Sequence, residues 1–270
     1  MKLEKEKRWE NLTISNDFIF SKLVRSKEIC KELLEILLNI KVGEIKYPQE
    51  QKGINLTYDA KSIRLDVYTE DEKNVYNIEM QVTNSKDLAK RTRYYQGLID
   101  LNIIDKGEDY KELKESYIIF ICTFDPFNEN LAKYEFRNYC KDKKELELKD
   151  GAYKIFFNSK AFEETTNKQL KEFLQYVNGE KVNNKFIEKI DKRIEEIKSN
   201  SEWRREYMTL AMKEREIAEI NFMKGKAEGR AEEMIKQIET LKELNIPNNV
   251  IIEKVSRDYE VEEKEIEKYL

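Results

Sequence analysis

The chain has 270 residues, 39% of them charged, with 50 Lys+Arg against 54 Asp+Glu for a formal net charge of −4. Such a length holds one large domain with an appendage, and a near-neutral balance gives no global positive field for nucleic acid, although a local basic groove stays open. Histidine is absent, which excludes Ser-His-Asp and Cys-His catalysis, histidine general bases and His-ligated zinc.

The N-terminal MKLEKEKRWE is too charged for a signal peptide, and no apolar run approaches the roughly 18 residues that span a bilayer, so a cytoplasmic protein is expected. Cys30, Cys122 and Cys140 share no short spacing; they read as buried or free thiols in a reducing compartment. Residues 17–39 carry Phe20, Leu23, Val24, Ile29, Leu33, Leu34, Leu37 and Leu38 at three- and four-residue spacings. That pattern predicts one amphipathic helix or two in succession, with Ser15 or Asn16 as N-cap.

β-branched and aromatic runs then predict strands at 54–58, 63–69, 75–82 and 117–124, with a helix at 85–104. The order helix, three strands, helix, strand implies a mixed sheet flanked by helices. YEFRNYC and LELKDGAYKIFFN read as a following β-ribbon, with Asp150-Gly151 as a turn signal. From about Thr166 the pattern is helical to the end. Residues 182–236 predict a long charged helix or helical hairpin suited to dimerisation. Gly225 and Gly229 within it mark a hinge or a close helix contact. The last segment, broken at residues 245–247, reads as a small helical cap or as a unit with helix-turn-helix spacing.

The chemistry concentrates in two strands. In SIRLDVYT, Arg64, Asp66 and Tyr68 share a face, and in VYNIEMQV, Asn77, Glu79 and Gln81 share a face. Pairing Glu70 with Val75 across the EDEKN turn brings Asp66 opposite Glu79 and Arg64 opposite Gln81. Carboxylates held about 5 Å apart repel one another, and a divalent cation between them removes the conflict. A solvated antiparallel face on which Arg64 neutralises Asp66 fits the same pattern.

NDFIFSKL, RLDVYTEDEKNVYNIEMQ, RTRYYQGLID and YIIFICTFDPF, within residues 15–127, together resemble the Rpn family of recombination-promoting nucleases and transposases, in the PD-(D/E)XK nuclease superfamily. The resemblance implies a restriction-endonuclease-like αβββαβ core in a nuclease domain at 1–160, followed by a helical region at 161–270. It implies Mg²⁺ or Mn²⁺ held by Asp66 and Glu79, DNA as substrate, phosphodiester hydrolysis by an endonuclease, and a homodimer to cut two strands. Glu79-Met80-Gln81 matches the superfamily's Glu-x-Lys with glutamine in place of lysine. Glutamine offers no cation to the phosphate or the attacking water.

Asp17 matches an acidic family position that could join the catalytic set, or it serves the helix dipole; Glu35 is a second acid on that segment. Lys90, Arg91, Arg93 and Gln96, with Tyr94 and Tyr95, form a basic-aromatic cluster suited to nucleic-acid phosphates, the tyrosines also packing on the sheet. A DNA-binding protein that has lost catalysis and an interaction scaffold on the long helix remain as alternative readings.

Overall fold

The structure, a computed structural model, describes residues 9–46, 67–104 and 107–270. The first amphipathic segment forms two helices, α1 (Asp17–Leu23) and α2 (Lys27–Leu38). Asn16 Oδ1 accepts from the Ile19 N–H and Ser26 Oγ from the Ile29 N–H, so each helix starts on its own side-chain cap. Asn39, in the left-handed region at φ 55°, closes α2.

Next come β1 (Val67–Glu70), β2 (Asn74–Gln81), α3 (Leu88–Ile103), β3 (Glu115–Cys122), β4 (Lys133–Phe136) and β5 (Ala152–Asn158). They build one mixed sheet in the order β1-β2-β3-β5-β4. The hairpin register has Glu70 opposite Val75 and Val67 opposite Ile78, as the turn chemistry predicts. The expected strand at 54–58, most of that at 63–69, and with it Asp66 and Arg64, lie outside the described residues. From β2 the chain crosses through α3 to β3, which pairs with β2 in parallel.

Two expectations change. Strands β4 and β5 pair antiparallel, as a ribbon would, but β5 also joins β3 in parallel, so both belong to the main sheet. Its sequence is apolar toward both faces at Ile155, Phe156 and Phe157, all buried, which suits an interior strand rather than a free ribbon. The polar face of β2 is not solvated either: β2 lies between β1 and β3, with Asn77 0% and Glu79 2% exposed.

Helix α3 covers that face. Leu88, Tyr95, Leu98 and Ile99 pack with Val75, Ile118, Phe120, Cys122 and Phe156 in one core cluster. The rings of Tyr95, Phe120 and Phe156 stack in series, with centroids 6.2 and 5.3 Å apart. On the opposite face, α1 packs against β2.

Beyond the sheet the chain is helical: α4 (Lys168–Val177), α5 (Lys185–Ser199), α6 (Ser201–Glu243), α7 (Asn248–Tyr259) and α8 (Glu263–Ile266). The long charged stretch is divided at Asn200, whose Oδ1 accepts from the Glu202 and Trp203 N–H groups and so caps α6. Nothing lies within 4 Å of a Cβ placed on Gly225 or Gly229, so these glycines mediate no close contact among the described residues. The expected break falls between α6 and α7, where Asn245 takes φ 56°. The chain separates into two compact units, 1–204 and 205–270; in the second, Met234, Ile238, Ile251, Val255 and Ile266 form a small core of their own.

Asp71, 3% exposed, ties the β1–β2 turn together. Its carboxylate accepts from the N–H groups of Gly43, Lys73 and Asn74 and from Tyr76 Oη. Burial pushes this carboxyl up, but the four donors outweigh burial and hold it below the ordinary carboxylate range. Asp71→Asn is therefore expected to destabilise the protein at neutral pH by about 2 kcal/mol. A carboxyl with a lowered folded pKa stabilises above its unfolded value and loses that contribution as pH falls through the folded one. The gap between wild type and variant, read from urea unfolding, should thus be full above about pH 5 and narrow below about pH 4.

Candidate active site on the second strand

Alternation along β2 turns Asn77, Glu79 and Gln81 toward α3, with Ile118, Phe120 and Cys122 beside them on β3. The strand's polar residues therefore rest on an apolar carpet. A carboxylate buried in such surroundings needs a counter-charge. The next helix provides one.

Arg91, one turn into α3, donates from Nη2 to Glu79 Oε2 at 2.9 Å and to Tyr95 Oη at 2.9 Å, and from Nη1 to Gln81 Oε1 at 3.2 Å. The ion pair is asymmetric, since the Arg91 side chain is 29% exposed and that of Glu79 only 2%. The guanidinium carbon lies 5.5 Å from the ring centroids of both Tyr95 and Phe120. Asn77 Nδ2 and Gln81 Nε2 flank the carboxylate at 3.4 Å each, and Tyr95 Oη donates to it at 3.5 Å. Burial, then the Glu79 charge, pushes the Tyr95 phenol up to about 12, so at neutral pH it keeps its proton and donates. Burial likewise pushes the neighbouring Cys122 thiol up to about 12, leaving it a packing group rather than a nucleophile.

One further atom stands out. Asn77 Oδ1 is buried and has no hydrogen-bond partner. Glu79, Gln81 and Asn77 thus bring only oxygen acceptors and amides to this face, the donor chemistry that suits Mg²⁺ or Mn²⁺. Among the described residues no three acidic or thiol side chains converge on a metal site. Glu79 and the unpartnered Asn77 Oδ1 are oxygen donors of the kind a hard cation takes, while Gln81 Oε1 is occupied by Arg91; Asp66, the other expected ligand, lies outside the described residues.

The remaining expected residues separate. Asp17 is exposed in the first turn of α1, its Oδ1 accepting from the Phe18 N–H at 2.8 Å, which is the helix-terminus role. Glu35 accepts from the Val42 N–H at 3.1 Å and so holds the chain after α2. Lys90, Arg93 and Tyr94 lie on the exposed side of α3, whereas Tyr95 packs on the sheet. Gln96 donates to Asp100 Oδ1 and Ser116 Oγ, which commits it to fastening α3 to β3.

The family described as PD-(D/E)XK nuclease family transposase matches residues 14–243. The chain belongs to this family. Neither a curated protein nor a solved structure matches it. As a member of the PD-(D/E)XK nuclease family of transposases, the protein has a mixed α/β fold, with a five-stranded mixed sheet among the described residues, and the family suggests a nuclease or transposase function. No described helix is long and apolar enough to cross a membrane.

Reasoning from residues missed the pairing of Arg91 with Glu79 and assigned Arg91 to phosphate contacts alone. The signal was present: Arg91 and Tyr95 are four apart on one helical face, and that helix begins seven residues after the strand ends. If the pair is energetically coupled, a double-mutant cycle of Glu79→Gln and Arg91→Gln, read by urea unfolding, should return about 1–3 kcal/mol of interaction. A value near zero would show that the pair does not hold α3 to the strand.

Proposed function

We propose that this protein is a metal-dependent DNA endonuclease that hydrolyses phosphodiester bonds at the polar face of β2. The observation that carries the reading is Glu79, a carboxylate 2% exposed on an interior strand and surrounded by side-chain donors. Burying a charge in this way costs stability, and it is retained where the group has work to do. Family membership supports the same reaction class.

In this reading Glu79 would hold the divalent cation together with Asp66, assigned on sequence grounds, while the unpartnered Asn77 Oδ1 offers a neutral oxygen. The cation, Mg²⁺ or Mn²⁺, supplies a lowered pKa for a water and charge stabilisation at the scissile phosphate. The chain's own groups do the rest. Tyr95 Oη donates to the Glu79 carboxylate and steadies it, and the carpet of Ile118, Phe120 and Cys122 excludes bulk water from beneath the site. Lys90 and Arg93, exposed on the outer side of α3, are placed to contact the DNA backbone without reading its bases. Severing both strands of a duplex takes two such sites, so two copies of the chain act together. The nuclease work is assigned to residues 1–160 and partner contacts to 161–270.

A supercoiled-plasmid assay with Mg²⁺ or Mn²⁺ tests this. Wild type should nick the DNA, and Glu79→Ala or Asp66→Ala should lower the rate by a factor on the order of 10² or more. No cleavage by pure wild type with either ion sinks the nuclease reading, and cleavage indifferent to both substitutions sinks this site.

A further inference from the structure

We propose that Arg91 is an exchangeable counter-ion: it neutralises Glu79 while the metal is absent and turns to the substrate phosphate when the metal takes over that charge. This role rests on the metal-dependent reading above and goes beyond it. It gives one residue two successive partners.

Three observations support it. First, Arg91 is the cation that meets Glu79 in the described ion pairs, at 2.9 Å, and Gln81 on the same strand face brings no charge. Second, the two ends of the pair differ in freedom: Glu79 is fixed within the sheet, whereas Arg91 is 29% exposed on the first turns of a surface helix, beside the partly buried Gln81. The guanidinium can swing outward about its own side-chain torsions while α3 stays in place. Third, the Arg91 Nε–H donates to none of the described residues, and Nη2 spends both its hydrogens on Glu79 and Tyr95, so leaving them frees Nη2 beside Nε as a planar fork for a phosphate.

Charge decides the order of events. A divalent cation on Glu79 and a guanidinium 2.9 Å from the same carboxylate repel each other in surroundings of low dielectric. The arginine must retreat, and the direction open to it is toward solvent, where Lys90 and Arg93 mark the proposed path of the DNA backbone. A cation arriving from the helix then supplies at the phosphate what lysine supplies from the strand elsewhere in the superfamily.

The consequence is a pair of effects with opposite signs. In the full-length protein, Arg91→Gln should bind Mn²⁺ more tightly, on the order of tenfold by titration calorimetry, because the competing charge is gone. The same variant should cut plasmid DNA more slowly, by a factor on the order of 10². Arg91→Lys should keep the wild-type Mn²⁺ affinity and recover part of the cleavage. If Arg91 merely orients Glu79, both Arg91 variants bind Mn²⁺ more weakly than wild type, and the proposal falls while the metal site stands. If Arg91→Gln fails to fold by thermal melting, Arg91→Lys decides alone: Mn²⁺ affinity below that of wild type overturns the exchange. Wild type that binds no Mn²⁺, or binds it equally after Glu79→Gln, overturns the metal site itself and the exchange with it.

Discussion

A carboxylate at 2% exposure on an interior strand has to be neutralised, and in this chain Arg91 does it from the helix that follows. That one ion pair links strand to helix. Glu79 cannot be moved without disturbing the sheet ladder on both sides of β2, and Arg91 cannot reach it unless the start of α3 lies over the strand's end. The inner face of α3 meets that requirement through Leu88, Tyr95, Leu98 and Ile99, which seat the helix on Ile118, Phe120 and Phe156. Packing therefore sets the electrostatics, because the apolar cluster fixes how far the guanidinium stands from the carboxylate.

Topology sets the packing. A parallel β2–α3–β3 crossover lays its helix across the sheet face, and here that face carries Asn77, Glu79 and Gln81 of the candidate site. The same crossover makes β2 interior, since β1 flanks one edge and β3 the other. Asn77 and Glu79 lose solvent for that reason, not because their own sequence is apolar. On the far edge, the Asp71 carboxylate gathers Gly43, Lys73, Asn74 and Tyr76, so the turn that starts β2 is held as firmly as the end that carries Glu79.

Much of this was legible in the sequence, and the parts that were not share a physical cause. Period-two alternation assigned Asn77, Glu79 and Gln81 to one face, and the turn chemistry set the register of Glu70 with Val75. Asn16, one of the two caps expected, marks the start of α1. Alternation cannot tell a solvated face from a covered one, because it reports which residues share a side and not what lies against that side. The parallel partner of β2 begins 34 residues after β2 ends, too far for any local pattern to announce. The same blindness made β4 and β5 look like a separate ribbon, although their membership in the sheet depends on β5 finding β3. Arg91 was visible as part of a basic cluster, but its pairing requires knowing which face of α3 turns inward, and at that position the helical periodicity is shared between packing and charge.

Gln81, where the superfamily places lysine, takes on a different meaning beside Arg91. An amide both accepts and donates, and this one does each: Oε1 accepts from Arg91 Nη1 at 3.2 Å while Nε2 points to Glu79 Oε2 at 3.4 Å. A lysine in its place could only donate. It would set a second cation against Arg91 over Glu79, the carboxylate of this face among the described residues, and leave the Nη1 group without its acceptor. Glutamine at 81 and arginine at 91 are therefore matched to one another: once the positive charge comes from the helix, the strand position is better served by a neutral side chain that can hold the arginine and the glutamate together.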